Sequence, residues 1–134
     1  PGADGWQLSN PPILALAPLI ASLELFQRAG MGRLQAKSRS LTGYLEGLIR
    51  ARLDDLIDVL TPAHPTQRGC QLSLRVRGGR ARGRALFEHL QQSGVLGDWR
   101  EPDVIRIAPV PLYNRHTDVL RFARACRAFA DLGS

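Results

Sequence analysis

Apolar residues change their spacing several times along this chain, and each change predicts a different element. Asn10-Pro11-Pro12 opens the first. Asparagine can accept a hydrogen bond from an orphan helical N–H, and proline in the first helical turn has no donor to lose. The dense run Ile13 to Leu19 predicts a helix reaching about Ala29, with Gly30 as its stop and a kink or restart at Pro18, where a backbone donor is missing. Leu34, Leu41, Tyr44, Leu45, Leu48 and Ile49 then fall on one helical stripe, while Lys37, Arg39, Glu46 and Arg50 lie elsewhere. A second helix is expected from Met31 to about Leu53.

Around Ile57 and Val59 a short strand is expected, ended by Thr61-Pro62 and a loop through Pro65 to Gly69. The period then becomes two: Cys70, Leu72, Leu74 and Val76 alternate with Gln71, Ser73, Arg75 and Arg77, the pattern of a strand with one apolar and one polar face. Gly78-Gly79 turns the chain into a helix lined by Ala81, Ala85, Leu86 and Leu90, which runs to about Ser93 with Gly94 as its C-terminal cap. Val95-Leu96 starts another strand, and Val104 to Ala108 forms a further one closed by Pro109-Val110-Pro111. After Thr117 the last helix buries Val119, Phe122, Cys126 and Phe129. Helix, helix, strand, strand, helix, strand, strand, helix is an α+β order. It predicts a two-layer single domain over residues 1–134, with a mainly antiparallel sheet of about four strands covered on one face by helices.

A chain of 134 residues is long enough for one domain with a real core. A hydrophobic share of 44% and a charged share of 22% exclude a disordered, collagenous or heptad-repeat chain. The longest uncharged apolar stretch, Pro11 to Ala21, is shorter than the roughly 20 residues of a membrane span. Pro1-Gly2-Ala3-Asp4-Gly5-Trp6 has neither the basic head nor the apolar run of a signal peptide and reads as a cut start. Two cysteines, Cys70 and Cys126, are too few for a disulfide framework or a zinc site, so free thiols and a cytoplasmic setting are expected.

The net charge of +6 raises the possibility of a polyanionic partner. Five arginines, Arg75, Arg77, Arg80, Arg82 and Arg84, sit in one acid-free stretch, and the remaining thirteen basic residues nearly balance twelve acidic ones. The stretch has no aromatic residue before Phe87 on which a base could stack, so a solvated strand end and turn competes with a nucleic-acid-binding module, and the turn is preferred. His64, His89 and His116 lack metal-ligand spacing, and no phosphate-binding glycine loop or Gly-x-Ser-x-Gly elbow occurs, so no metal site is expected.

Arg106 stands between Ile105 and Ile107 in a strand, so its side chain leaves the face opposite theirs. It either faces water or holds an anion, and a guanidinium on a rigid strand suits a carboxylate. Asn10 is either a helix cap or a ligand to an oxyanion. Cys70 and Cys126 continue apolar stripes and read as core thiols. Tyr113 and Asn114, among prolines, form a rigid turn that is a pocket wall or only a connection.

Three segments carry a specific resemblance: Gly5-Trp6-Gln7-Leu8-Ser9-Asn10-Pro11-Pro12-Ile13, Arg68-Gly69-Cys70-Gln71-Leu72, and Ile105-Arg106-Ile107-Ala108-Pro109-Val110-Pro111-Leu112-Tyr113-Asn114. Together with Ala21 to Phe26 and Leu41 to Glu46 they resemble the C-terminal part of kynureninases. The resemblance implies the small domain of a homodimeric pyridoxal-phosphate enzyme of the aspartate-aminotransferase fold. Such enzymes hydrolyse kynurenine or 3-hydroxykynurenine to an anthranilate and alanine in tryptophan degradation and NAD biosynthesis. It also implies that Arg106 grips the substrate's α-carboxylate in a cleft and that Asn10 hydrogen-bonds in the cofactor and substrate pocket. No catalytic residue is expected in this stretch, because the cofactor lysine, the aspartate facing the pyridine nitrogen and the phosphate cup belong to the large domain; Lys37 matches no family motif. Alone, the chain is expected to be inactive and without bound cofactor, with its own large domain as partner and neither nucleic acid nor membrane. A basic nucleic-acid-binding module built on Arg75 to Arg84 and a free-standing regulatory ligand-binding α+β domain of common ancestry are the alternatives.

Overall fold

The computed structural model describes residues 2–132. They divide into two compact units, the first ending at Arg33 and the second beginning at Leu34.

In the first unit a 3-10 turn, Ala3–Trp6, precedes helix α1, Ile13–Ala29. The helix is continuous through Pro18, so the expected restart does not occur. Its cap is Pro12, whose carbonyl accepts from the N–H groups of Ala15 and Leu16, and not Asn10. Two consecutive prolines stiffen the chain ahead of the helix and hold the asparagine outside the first turn. Gly30 closes α1, its N–H donating to the Phe26 carbonyl at 2.8 Å. No residue of α1 is buried.

The second unit holds the rest of α2, Met31–Arg52, and everything after it. Strands β1 (Ile57–Val59), β2 (Leu72–Val76), β3 (Asp98–Arg100) and β4 (Val104–Ile107) form one sheet in the order β1-β2-β4-β3, every neighbouring pair antiparallel. Helix α3 (Arg80–Gln92) follows β2 and helix α4 (His116–Leu132) follows β4. Ile57, Leu72, Leu74, Val76, Ile105 and Ile107 leave one face of the sheet and meet Leu41, Leu45 and Ile49 of α2, Leu86 and Leu90 of α3, and Phe122 and Cys126 of α4. The two-layer α+β architecture is as expected, and the element order is the one read from the sequence.

Two details differ. The buried side of α3 is Gly83, Leu86, Phe87 and Leu90, while Ala81 and Ala85 are exposed. The indole of Trp99 packs over Gly83 and beside the Phe87 ring, so Gly83 and Phe87 lie on the buried side of α3. The third strand is Asp98–Arg100 and not Val95-Leu96, because Trp99 finds a cross-strand partner in Ile105 whereas Leu96 is exposed. Gly78 and Gly79, at φ +100° and +88°, take the left-handed turn that any side chain would strain.

Candidate carboxylate-binding site

On the second unit, the face of the sheet away from the helices carries Asp58, Ser73, Arg75, Asp98, Arg100, Val104 and Arg106. Arg106 is central to it: in register it lies between Ser73 of β2 and Asp98 of β3. Neighbouring Ile105 and Ile107 are buried on the other face, so strand alternation alone puts the guanidinium outside the core. Its Nε donates to Asp98 Oδ2 at 2.6 Å, and Nη2 bonds the same oxygen. Arg100 Nε reaches that oxygen too, at 2.9 Å. The hydrogen bond from Arg106, then the charges of both arginines, hold the Asp98 carboxyl below its ordinary value. What results is a guanidinium fixed at one edge, with its side chain still 31% exposed. That arrangement can receive a carboxylate.

A cleft of about 380 Å³ opens on the helix side of the sheet, lined by Val95, Leu96, Ile107, Tyr113, Asn114 and Phe122 among others, and Arg106 is not among its lining residues. Tyr113 and Asn114 do form a pocket wall there. Asn114 Oδ1 accepts the Val110 N–H at 2.8 Å, and its N–H donates to the Val110 carbonyl at 2.9 Å. Asp118 Oδ2 accepts the Arg115 N–H at 2.9 Å, which with the Asn114 amide lowers the Asp118 carboxyl. The turn after β4 is therefore pinned at both ends, a role for Asn114 that its Pro-rich setting hinted at without specifying.

Asn10 lies in the other unit, exposed and without a hydrogen bond among the described residues; nearby, Gln7 Nε2 donates to the Ser9 carbonyl at 2.9 Å. Lys37 sits half-buried on α2. Cys70 is half-buried, and Cys126 is buried, its thiol pushed up to about 12 by that burial. Among the described residues no group of three His, Cys, Asp or Glu side chains could hold a metal, and no single helix is long and apolar enough to cross a membrane.

The arginine-rich stretch is largely neutralised. Arg75 pairs with Asp103, Arg77 with Asp58, Arg80 with Glu101 and Arg84 with Glu88, at 2.7 to 3.0 Å. Three acids distant in sequence, Asp58, Glu101 and Asp103, and Glu88 one helical turn on thus break up what reads linearly as a basic track. Sequence reasoning also missed a charge cluster joining α2 to the loop before β2. Glu46 Oε2 meets Arg68 Nη2 and Oε1 meets Arg50 Nη2, both at 2.6 Å.

A family model described as kynureninase C-terminal domain matches residues 34–126. Curated proteins named kynureninase from Xanthomonas euvesicatoria and Stenotrophomonas maltophilia are each 69% identical to the chain, over 97% and 98% of its length. One from Xanthomonas campestris strain B100 is 72% identical over 89% of it. The chain spans only 31% of the length of the first two and 28% of the third. Among solved structures, an α-aminoadipate aminotransferase from Thermus thermophilus, complexed with N-(5'-phosphopyridoxyl)-L-leucine, shares the fold. Its TM-score is 0.52 at 15% identity, covering 81% of this chain and 30% of that one.

Proposed function

The chain belongs to the kynureninase C-terminal domain family, and from that premise we propose that it is the small-domain end of a pyridoxal-phosphate hydrolase cleaving L-kynurenine or 3-hydroxykynurenine. Water adds to the side-chain ketone and the Cβ–Cγ bond breaks, giving an anthranilate and alanine, a step of tryptophan degradation and NAD biosynthesis. The large domain of the same polypeptide is its partner, the complete protein is a cytoplasmic homodimer, and this stretch by itself is inactive.

One observation carries the reading: Arg106, inside the family segment Ile105 to Asn114, stands on the sheet face away from the core with one edge of its guanidinium fixed by Asp98. Arg106 binds the α-carboxylate and thereby sets which Cα bond is aligned for cleavage. Arg106 does not line the cleft on the helix side, and its side chain is 31% exposed, open to residues of the large domain that would complete its binding site. Asn10 suits the cofactor pocket: an exposed amide with no partner among the described residues can both donate and accept. Pyridoxal phosphate, when bound, supplies the electron sink for charge developing at Cα. Lys37 belongs to no family motif, so the covalent anchor comes from the large domain.

The full-length protein, supplied with pyridoxal phosphate, should release anthranilate and alanine from kynurenine in a chromatographic assay, and residues 1–134 alone should release neither. A full-length protein that binds the cofactor yet leaves both kynurenines intact would refute the reading.

A further inference from the structure

We propose that Asp98 is a positioning residue for Arg106: across the β3–β4 register it holds the guanidinium by its Nε edge and leaves the remaining donors to a substrate carboxylate. The inference rests on the carboxylate-binding role of Arg106 argued above.

Asp98 and Arg106 are direct partners across an antiparallel ladder, close enough for an arginine side chain to fold over onto the acid. On the other flank Ser73 is short and neutral, so it offers no competing anchor. Nε and Nη2 both bond one oxygen, Asp98 Oδ2, which leaves Nη1 outside the pair. A planar fork with five donors keeps several in reserve after such a contact. Arg100 braces the same oxygen at 2.9 Å, so the anchor is itself held between two cations and does not swing with the arginine.

Two effects of Asp98 oppose each other. Its negative charge repels an incoming carboxylate, and its hydrogen bonds remove the need to freeze a long side chain at the moment of binding. Arg106 is 31% and Asp98 48% exposed, so water and salt screen the repulsion. The ordering of an arginine with four rotatable bonds is not screened. Orientation therefore wins, and removing Asp98 should weaken substrate capture.

In the full-length enzyme with pyridoxal phosphate, Asp98→Ala is expected to raise KM for L-kynurenine about 5- to 10-fold with kcat within about 3-fold of wild type. Asp98→Asn keeps an acceptor oxygen at the same length and should raise KM less. In an Arg106→Ala background Asp98→Ala should change nothing further, because it acts through the arginine, whereas a merely structural loss would appear in both backgrounds. A KM that is unchanged or lowered in Asp98→Ala overturns the proposal, as does an independent, additive loss in the double variant. If the alanine variant does not fold by circular dichroism, Asp98→Asn decides on the same criterion. An Arg106→Ala enzyme with unaltered KM removes the reading of Arg106 and this inference together; an Arg106 effect with none from Asp98 removes the inference alone.

Discussion

Replacing Glu46 by alanine strips the partner from a guanidinium that has almost no water of its own. Arg68 is only 6% exposed in its side chain, and Glu46 12%. Beyond Glu46, the Arg68 guanidinium has one long contact among the described residues, 3.4 Å to the Pro62 carbonyl. Arg50, the second partner of Glu46, is 66% exposed and one helical turn away, a pair worth about 0.3–0.5 kcal/mol. Orphaning a buried charge costs about 3–5 kcal/mol, and the remaining contact of Arg68 places this case near ~3. At roughly 3–4 °C per kcal/mol for a chain of this size, the midpoint should fall by about 10 °C.

The pH dependence has a defined sign. Burial alone would raise the Glu46 carboxyl, but the hydrogen bonds and charges of Arg68 and Arg50 together hold it below its ordinary 4.5. A carboxylate depressed by folding stabilises above its unfolded value, and that contribution disappears as pH falls through the lower, folded value. The gap between wild type and Glu46→Ala should thus be full near pH 7 and narrow below about pH 4. Urea unfolding followed by circular dichroism at both pH values measures it. A loss under about 1 kcal/mol at neutral pH, or Arg50→Ala costing as much as Glu46→Ala, would refute the reasoning.

Gly97→Ala should destabilise the second unit by about 1–2 kcal/mol in the same assay, because a Cβ there would lie 2.8 Å from Ile107 Cδ1 and 3.3 Å from the Arg106 carbonyl, so β4 itself must give. In a native titration with a thiol reagent Cys70 should react well before Cys126, whose thiol is buried and raised to about 12; simultaneous reaction would show that α4 opens readily. The apolar residues of α1 from Ile13 to Leu25 are exposed, so residues 1–134 alone should self-associate in concentration-dependent light scattering, and a monomer at every concentration would count against a partner surface there.

Alternation made β2 legible, since Leu72, Leu74 and Val76 could only be buried together, and the stripe Leu41, Leu45, Leu48, Ile49 did the same for α2. Propensity misled where pairing decides: Val95-Leu96 is the better strand former, yet Asp98–Arg100 has the partner strand. Asn10 has the chemistry of a cap, but the prolines after it move the helix start to Ile13. Arg106 could be placed on the polar face from its neighbours alone; its anchor could not, because Asp98 is eight residues away and reaches it only through a register that no local pattern encodes. The same holds for Glu46 and Arg68, and for the acids that neutralise Arg75, Arg77 and Arg80.

The central claim is that the Arg106 guanidinium takes the substrate's acid group. Steady-state kinetics and cofactor absorbance of full-length Arg106→Ala test it together. Loss of a charge-assisted bidentate contact worth about 1.5–3 kcal/mol predicts kcat/KM for kynurenine lowered roughly 10- to 150-fold, with cofactor content equal to wild type. An unchanged kcat/KM, or a loss accounted for by missing cofactor, would contradict it.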